Sequence, residues 1–161
     1  MNFIPVKTER LVIRKTLLKD VDLLLKMDKQ EITQKYLGGI KNKTRKERLE
    51  FLRKDKNSSN TLSLTILLDK PIGFIRLKFY DDRLSLSYIF DSDYINNGYC
   101  TEAVKKIIDI CFNELNINSI IADTKEGNLK SINVLNKLGF KFRNINDIGE
   151  AKFLNYILKK G

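Results

Sequence analysis

The sequence predicts a mixed α/β domain: a mostly antiparallel, twisted sheet with helices on both of its faces. Three observations carry this expectation. A strand and two helices open the chain, a run of period-two alternation fills its middle, and a strand-helix-strand pattern closes it. A length of 161 residues suits one globular unit, so a single domain over 1–161 is expected.

Leu11 and Ile13, flanked by Arg10 and Arg14, alternate as a half-buried strand does. Asp20 then reads as the cap of a helix carrying Val21, Leu24, Leu25 and Met27 on one side. Thr44 with Glu47 three residues on forms a capping box for a second helix, whose narrow apolar stripe is Leu49, Leu52 and Phe51. That helix is expected at the surface. From Thr61 the period becomes two: Leu62, Leu64, Ile66 and Leu68 share a face, and Asp69-Lys70-Pro71 turns the chain into a strand over residues 72–79. A second turn at Asp81-Asp82-Arg83 leads to a third antiparallel strand, in which Leu84, Leu86, Tyr88 and Phe90 alternate with Ser85, Ser87, Ile89 and Asp91.

Residues 94–100, rich in Asn and Gly, open an amphipathic helix with Ala103, Val104, Ile107, Ile108, Cys111, Phe112 and Leu115 on one face, ending near Asn116. Residues 117–123 read as a buried strand, 128–138 as a short helix stopped at Gly139, and 140–145 and 153–158 as two closing strands.

Composition removes several classes of chemistry. The chain contains no histidine, which excludes Ser-His and Cys-His nucleophilic machinery, and its two cysteines without histidine do not make an ordinary zinc site. No metal is expected. Neither a Walker A sequence nor G-x-G-x-x-G is present. The first apolar stretch is broken at Lys7, Glu9 and Arg10, and no run reaches the roughly 20 apolar residues of a membrane span, so a cytoplasmic chain with free thiols and no membrane partner is expected. The net charge of +10 admits two readings. One is a nucleic acid or ribosomal partner; the other is lysine-rich drift, since lysine outnumbers arginine 22 to 8. The densest basic segment, residues 41–56, carries eight Lys/Arg against three acidic residues.

Two segments carry chemistry. Tyr94-Ile95-Asn96-Asn97-Gly98-Tyr99-Cys100-Thr101-Glu102-Ala103 leaves a strand and enters a helix. Unpaired N–H groups at a helix N-terminus, with the helix dipole behind them, bind phosphate, and a residue without a side chain lets the anion approach. Asn-Asn-Gly is equally the composition of a plain strand-to-helix turn. The second segment, Asn128-Leu129-Lys130-Ser131-Ile132-Asn133-Val134-Leu135-Asn136-Lys137-Leu138-Gly139-Phe140, has Asn128 as a helix cap and Gly139 as a stop.

The first segment resembles the acyl-CoA pyrophosphate loop of GNAT acetyltransferases, Q/R-x-x-G-x-G/A, and especially the Y-W-G-K-G-Y-A-T-E-A form of the RimJ/RimL branch, matched at Gly98, Tyr99, Thr101, Glu102 and Ala103. Ile95, Asn96, Asn97 and Cys100 depart from that pattern, but Asn tolerates left-handed backbone and the binding groups are main-chain amides. The second segment is similar to N-x-x-S-x-x-V-L-x-K-L-G-F of the same family, and Thr8-Glu9-Arg10-Leu11 and Ile72-Gly73-Phe74-Ile75 echo it in family order.

The resemblance implies a GNAT-like fold and an N-acetyltransferase that uses acetyl-CoA as donor, without a metal. Its cofactor contacts would be Phe90, Ile95, Asn96, Asn97, Gly98, Tyr99, Cys100, Thr101, Asn128 and Ser131. Acetyl-CoA would enter between the strand ending at Asp91 and the strand over 117–123, with a main-chain amide near Phe90 facing the thioester oxygen. Many relatives carry a tyrosine acid at the position of Leu135; here Ser131 is the candidate to assist the departing thiolate. Asp91 is placed as a candidate base or as a solvated strand end, and Cys100, at a helix start, as a small residue in place of alanine or a thiol of lowered pKa. The acceptor is a primary amine, with a protein N-terminal α-amine favoured by its low reference pKa of about 8 against about 10.4 for lysine. A small-molecule amine and a basic RNA- or ribosome-binding module stand as alternatives.

Overall fold

The computed structural model describes residues 4–161. Its elements in chain order are β1 Val6–Lys7, β2 Val12–Lys15, α1 Val21–Asp28, α2 Glu31–Gln34, α3 Arg45–Asn57, β3 Thr61–Leu67, β4 Pro71–Phe79, β5 Arg83–Phe90, α4 Tyr99–Glu114, β6 Ser119–Lys125, α5 Leu129–Lys137, β7 Lys141–Ile148 and β8 Ala151–Lys159. The strands form one eight-stranded sheet in the order β1-β2-β3-β4-β5-β6-β8-β7. Every pairing is antiparallel except β5 with β6.

Alternation decides which helices cover which face. Leu64, Ile66, Ile75, Leu77, Leu84 and Leu86 are buried together with Ala103, Val104, Ile107, Ile108 and Cys111 of α4 in the larger core. Phe74 and Ile89 stand between those strand positions and so point the other way, where they meet Val21, Leu24 and Met27 of α1 and Leu52 of α3. Helices therefore cover both faces, as the period-two and 3.6-residue patterns require.

Buried carboxylates bolt the smaller layer down. Asp20 is not the cap that its position suggests: its side chain makes no capping bond to α1. It instead accepts from Arg14 Nη1 and Nη2 at 2.7 and 2.9 Å, from the Leu17 N–H at 2.8 Å and from Thr65 Oγ1 at 2.8 Å. Asp28 and Asp55, also buried, hold Arg48 of α3 and Arg76 of β4. Removing one member of such a pair leaves an uncompensated buried charge, at a cost of about 3–5 kcal/mol. The basic helix α3 is thus fastened to the body, although the sequence marks it as a surface element; its capping box, Thr44 with Glu47, is present.

Three differences from the sequence expectation have local causes. β1 and α2 span 2 and 4 residues, too short to show any period. β7 and β8 run to Ile148 and from Ala151, longer than the alternation indicates, because every residue of β7 is exposed and hydropathy has nothing to sort there. α4 stops at Glu114, and Asn116 just beyond adopts left-handed φ of 54°.

Candidate active site

The parallel ladder between β5 and β6 covers Arg83↔Ser119, Leu84↔Ile120 and Ser85↔Ile121, and goes no further. β5 continues to Phe90 while β6 stays paired to β8 as far as Lys125↔Phe153. The two central strands therefore part beyond Ser85 and leave an opening between their C-terminal halves. The Asp91 N–H donates to the Ile72 carbonyl at 2.9 Å, on the β4 side. Main-chain groups alternate sides along an antiparallel strand, so the Phe90 N–H, one residue earlier, is directed away from β4 and toward the opening. Gly73 faces Phe90 in the register, and a Cβ there would stand 2.8 Å from Phe90 Cδ1 and 2.9 Å from the Ile89 carbonyl oxygen. A side chain at residue 73 would push β5 aside.

The loop at the end of β5 is built for exposed amides. Asn96 and Gly98 take left-handed φ of 66° and 78°, and Asn97 folds its Nδ2 back onto the Ile95 carbonyl at 3.1 Å. The first bond of α4 runs from the Glu102 N–H to the Gly98 carbonyl, so the N–H groups of Tyr99, Cys100 and Thr101 precede the helical ladder. A residue 92 positions away sets this geometry: Arg10 Nε donates to Glu102 at 2.7 Å, its Nη1 donates to the Asn97 carbonyl at 2.9 Å, and its guanidinium lies 4.5 Å from the centre of the Tyr99 ring. The Thr8 hydroxyl also donates to Glu102. The two motifs read separately in the sequence, Thr8-Glu9-Arg10-Leu11 and Gly98 to Ala103, are the halves of one clamp.

Across the opening, Asn128 caps α5 and accepts from the Ser131 N–H at 3.3 Å. Ser131 does not face bulk solvent. It is half-buried, and its Oγ lies 2.9 Å from the hydroxyl of Tyr88 on β5. Burial pushes the Tyr88 phenol above its ordinary range, the neighbouring Cys100 adds to the rise, and the Ser131 bond opposes it. Tyr88 therefore stays a neutral phenol. Leu135 is buried in the core. Tyr88 was missed by sequence reasoning, since a tyrosine in an alternating strand reads as packing. Burial pushes the Cys100 thiol up to about 12, which favours the reading of a small residue in place of alanine over a thiol of lowered pKa.

Asp91 is neither solvated nor free. It is buried and accepts from Lys26 Nζ at 2.7 Å, Gln30 Nε2 at 2.8 Å and the Asp93 N–H at 3.0 Å. Burial alone would raise its pKa, but these donors outweigh burial and hold it below the usual aspartate value. A carboxylate so engaged is a poor proton acceptor.

On the α1–α3 face of β4 and β5 lies a cleft of about 260 Å³ whose walls include Leu24, Leu52, Phe74 and Ile89, with Lys41, Arg48 and Arg76 among its charged residues. The pKa of Lys41 is lowered, burial outweighing the nearby charge of Asp28. A second hollow, along α3 between Lys43 and Lys54, touches neither β5 nor the loop.

A model of the acetyltransferase (GNAT) domain matches residues 10–141. The uncharacterized N-acetyltransferase YnaD of Bacillus subtilis (strain 168) is 27% identical over 141 residues, covering 84% of this chain and 82% of its own. Among solved structures, a GNAT-family acetyltransferase from Bacillus anthracis superposes with a TM-score of 0.84 at 23% identity, over 96% of this chain and 97% of the other. The spermidine N-acetyltransferase of Vibrio cholerae, solved with CoA and spermine, superposes with a TM-score of 0.82 at 13% identity, over 93% and 95% of the two chains.

Proposed function

The chain belongs to the GNAT acetyltransferase family, and from that membership we propose that it moves an acetyl group from acetyl-CoA to a primary amine by direct attack in a ternary complex. The observation that carries this reading is the opening between β5 and β6, which ends at a left-handed loop with free amides. The residues present fit the donor: a pyrophosphate on the amides of Asn96 to Thr101 gains the helix dipole of α4, and Asn128 and Ser131 stand on the far wall of the opening. Acetyl-CoA supplies the acetyl group as a thioester, which a neutral amine attacks with release of the thiol.

The chain's own groups have three tasks. The Phe90 N–H donates to oxygen where negative charge develops. Either hydroxyl of the Tyr88–Ser131 pair can donate to the other; with the neutral Tyr88 phenol as donor, the Ser131 proton is free to point at sulfur. Arg10 keeps the loop in its left-handed course by holding the Asn97 carbonyl. No histidine exists to take the amine's proton and Asp91 is locked, so the acceptor is an amine that needs little help to be neutral. A protein N-terminal α-amine, with a reference pKa of about 8, meets that condition.

The binding-module alternative rests on the basic segment 41–56, in which Arg45 is paired with Asp22 and Arg48 with Asp28 while Lys46, Arg53, Lys54 and Lys56 are exposed. Thiol release from acetyl-CoA tests the proposal, comparing peptides with free N-termini, N-blocked lysine peptides, spermidine and an aminoglycoside at two salt concentrations. Free N-terminal peptides are expected to give the highest kcat/KM. A preference for either polycation at low salt would move the assignment to a small-amine acetyltransferase, and no release with any amine would leave the binding module.

A further inference from the structure

The cleft on the α1–α3 face is lined by Tyr88, whose hydroxyl lies 2.9 Å from Ser131 Oγ, so it borders the groups assigned to acetyl transfer. Both of its carboxylates are already engaged. Asp28 takes Arg48 through both of its oxygens, and Asp55 takes Arg76 Nε and Nη2 at 2.8 Å each. Lys41, the third cation of the wall, reaches only neutral oxygens, those of the Gln34 side chain and of the Leu37 and Gly39 carbonyls. Two arginines are balanced by two aspartates, and the charge of Lys41 has no counter-charge among the described lining residues. A polyamine or aminoglycoside needs free carboxylates, and this cleft offers none. Its remaining wall is mostly apolar, with Ser63, Ser87 and Tyr88 as neutral polar side chains, and the same segment that supplies Lys41 presents Ile32, Leu37 and Ile40 to solvent at 63%, 48% and 45% exposure. Exposed apolar residues gathered on one short segment mark a surface that meets another apolar group.

Resting on the acetyl-transfer reading above, we infer that the acceptor is a free polypeptide N-terminus whose first residues are apolar and include one carboxylate, and that Lys41 is the residue that selects the carboxylate. The protons of Lys41 are committed to the 34–41 turn, so it acts through its field. The donors that contact the carboxylate are the Nη1 groups of Arg48 and Arg76, which neither aspartate uses. Desolvated by apolar walls, one uncompensated charge discriminates more strongly than it would in water.

The test uses the wild-type enzyme with acetyl-CoA and pairs of tripeptides with free N-termini, apolar except for Glu or Gln at the second or third position, with spermidine as the opposite charge. Glu peptides are expected to exceed their Gln twins by about tenfold in kcat/KM, and spermidine to fall below both. In Lys41→Gln the Glu preference should shrink to about twofold or less, while Lys41→Arg, which keeps the charge, should retain it. Equal use of Glu and Gln peptides by the wild-type enzyme, or better use of spermidine, overturns the inference. So does a Glu preference undiminished in a folded Lys41→Gln. A normal rise in Tm with acetyl-CoA alongside equal peptide use removes only the acceptor assignment; no rise removes the acetyl-transfer reading beneath it.

Discussion

Replacing Gly73 by alanine should disturb chemistry without disturbing the phosphate loop. The added Cβ would lie 2.9 Å from the Ile89 carbonyl oxygen, as well as 2.8 and 3.0 Å from two atoms of the Phe90 ring. The ring can turn, but the carbonyl belongs to the β5 backbone. Ordinary contact begins near 3.4 Å, so β5 must retreat from β4 by about half an ångström in a close-packed interior. Overpacking of this kind costs about 1–3 kcal/mol. For a chain of this size that lowers Tm by roughly 3–10 °C. The same shift carries the Phe90 N–H off its position, and since a misplacement of 1 Å can cost about 10²-fold, half that distance should lower kcat by roughly tenfold. Acetyl-CoA affinity should stay within about twofold, because the Arg10 clamp, not Gly73, sets the loop. Stopped-time thiol release at saturating acetyl-CoA, with calorimetric Tm, checks all three. A lowered Tm with unchanged kcat would show that the Phe90 amide takes no part in the reaction.

Ser131→Ala should lower kcat with little change in acetyl-CoA affinity, and Tyr88→Phe should act in the same direction. Because the two hydroxyls work as one pair, the double variant should lose little more than Ser131→Ala alone; full additivity in the cycle would separate them. Acid should unfold the protein through its engaged carboxylates. The folded pKa of Asp91 is depressed, so its contribution is complete above the ordinary aspartate value of 3.8 and is lost as pH falls through the lower folded value; Asp20 and Glu102 behave alike. Urea midpoints should therefore be level from pH 5 to 7 and fall below about pH 4. Lys26→Met removes the ion pair to Asp91 and should move that acid limb to higher pH, and an unmoved limb would show that Lys26 does not hold the carboxylate.

What the sequence made legible follows from how locally each feature is encoded. The meander of β3, β4 and β5 and the long face of α4 are written as periods, and the structure keeps them. The loop is written as residue types: Asn96 and Gly98 stand where positive φ is needed. Features made by residues far apart in the chain were not legible. The Arg10–Glu102 clamp joins positions 92 apart, and Tyr88 meets Ser131 at a separation of 43. Asp91 misled for the same reason, since a carboxylate at a strand end is solvated unless Lys26 and Gln30 from another element close over it. The cleft beside Lys41 draws on α1, α3, β4 and β5 together, and no single segment announces it.

The central claim, that acetyl-CoA is held on the Asn96 to Thr101 amides, is tested most directly by titrating acetyl-CoA calorimetrically into the wild-type protein and into Gly98→Val. Gly98 sits at φ of 78°, and a Cβ there would come 3.4 Å from Arg10 Nη2, so a branched side chain both strains the turn and presses on the Arg10 guanidinium that holds the Asn97 carbonyl. The wild-type protein should bind, and at a hundred times Kd the ligand should add about 2.7 kcal/mol of stability. Gly98→Val should remain folded and lose both the heat of binding and the added stability. Binding of equal affinity in a folded Gly98→Val would place the cofactor elsewhere and contradict the account.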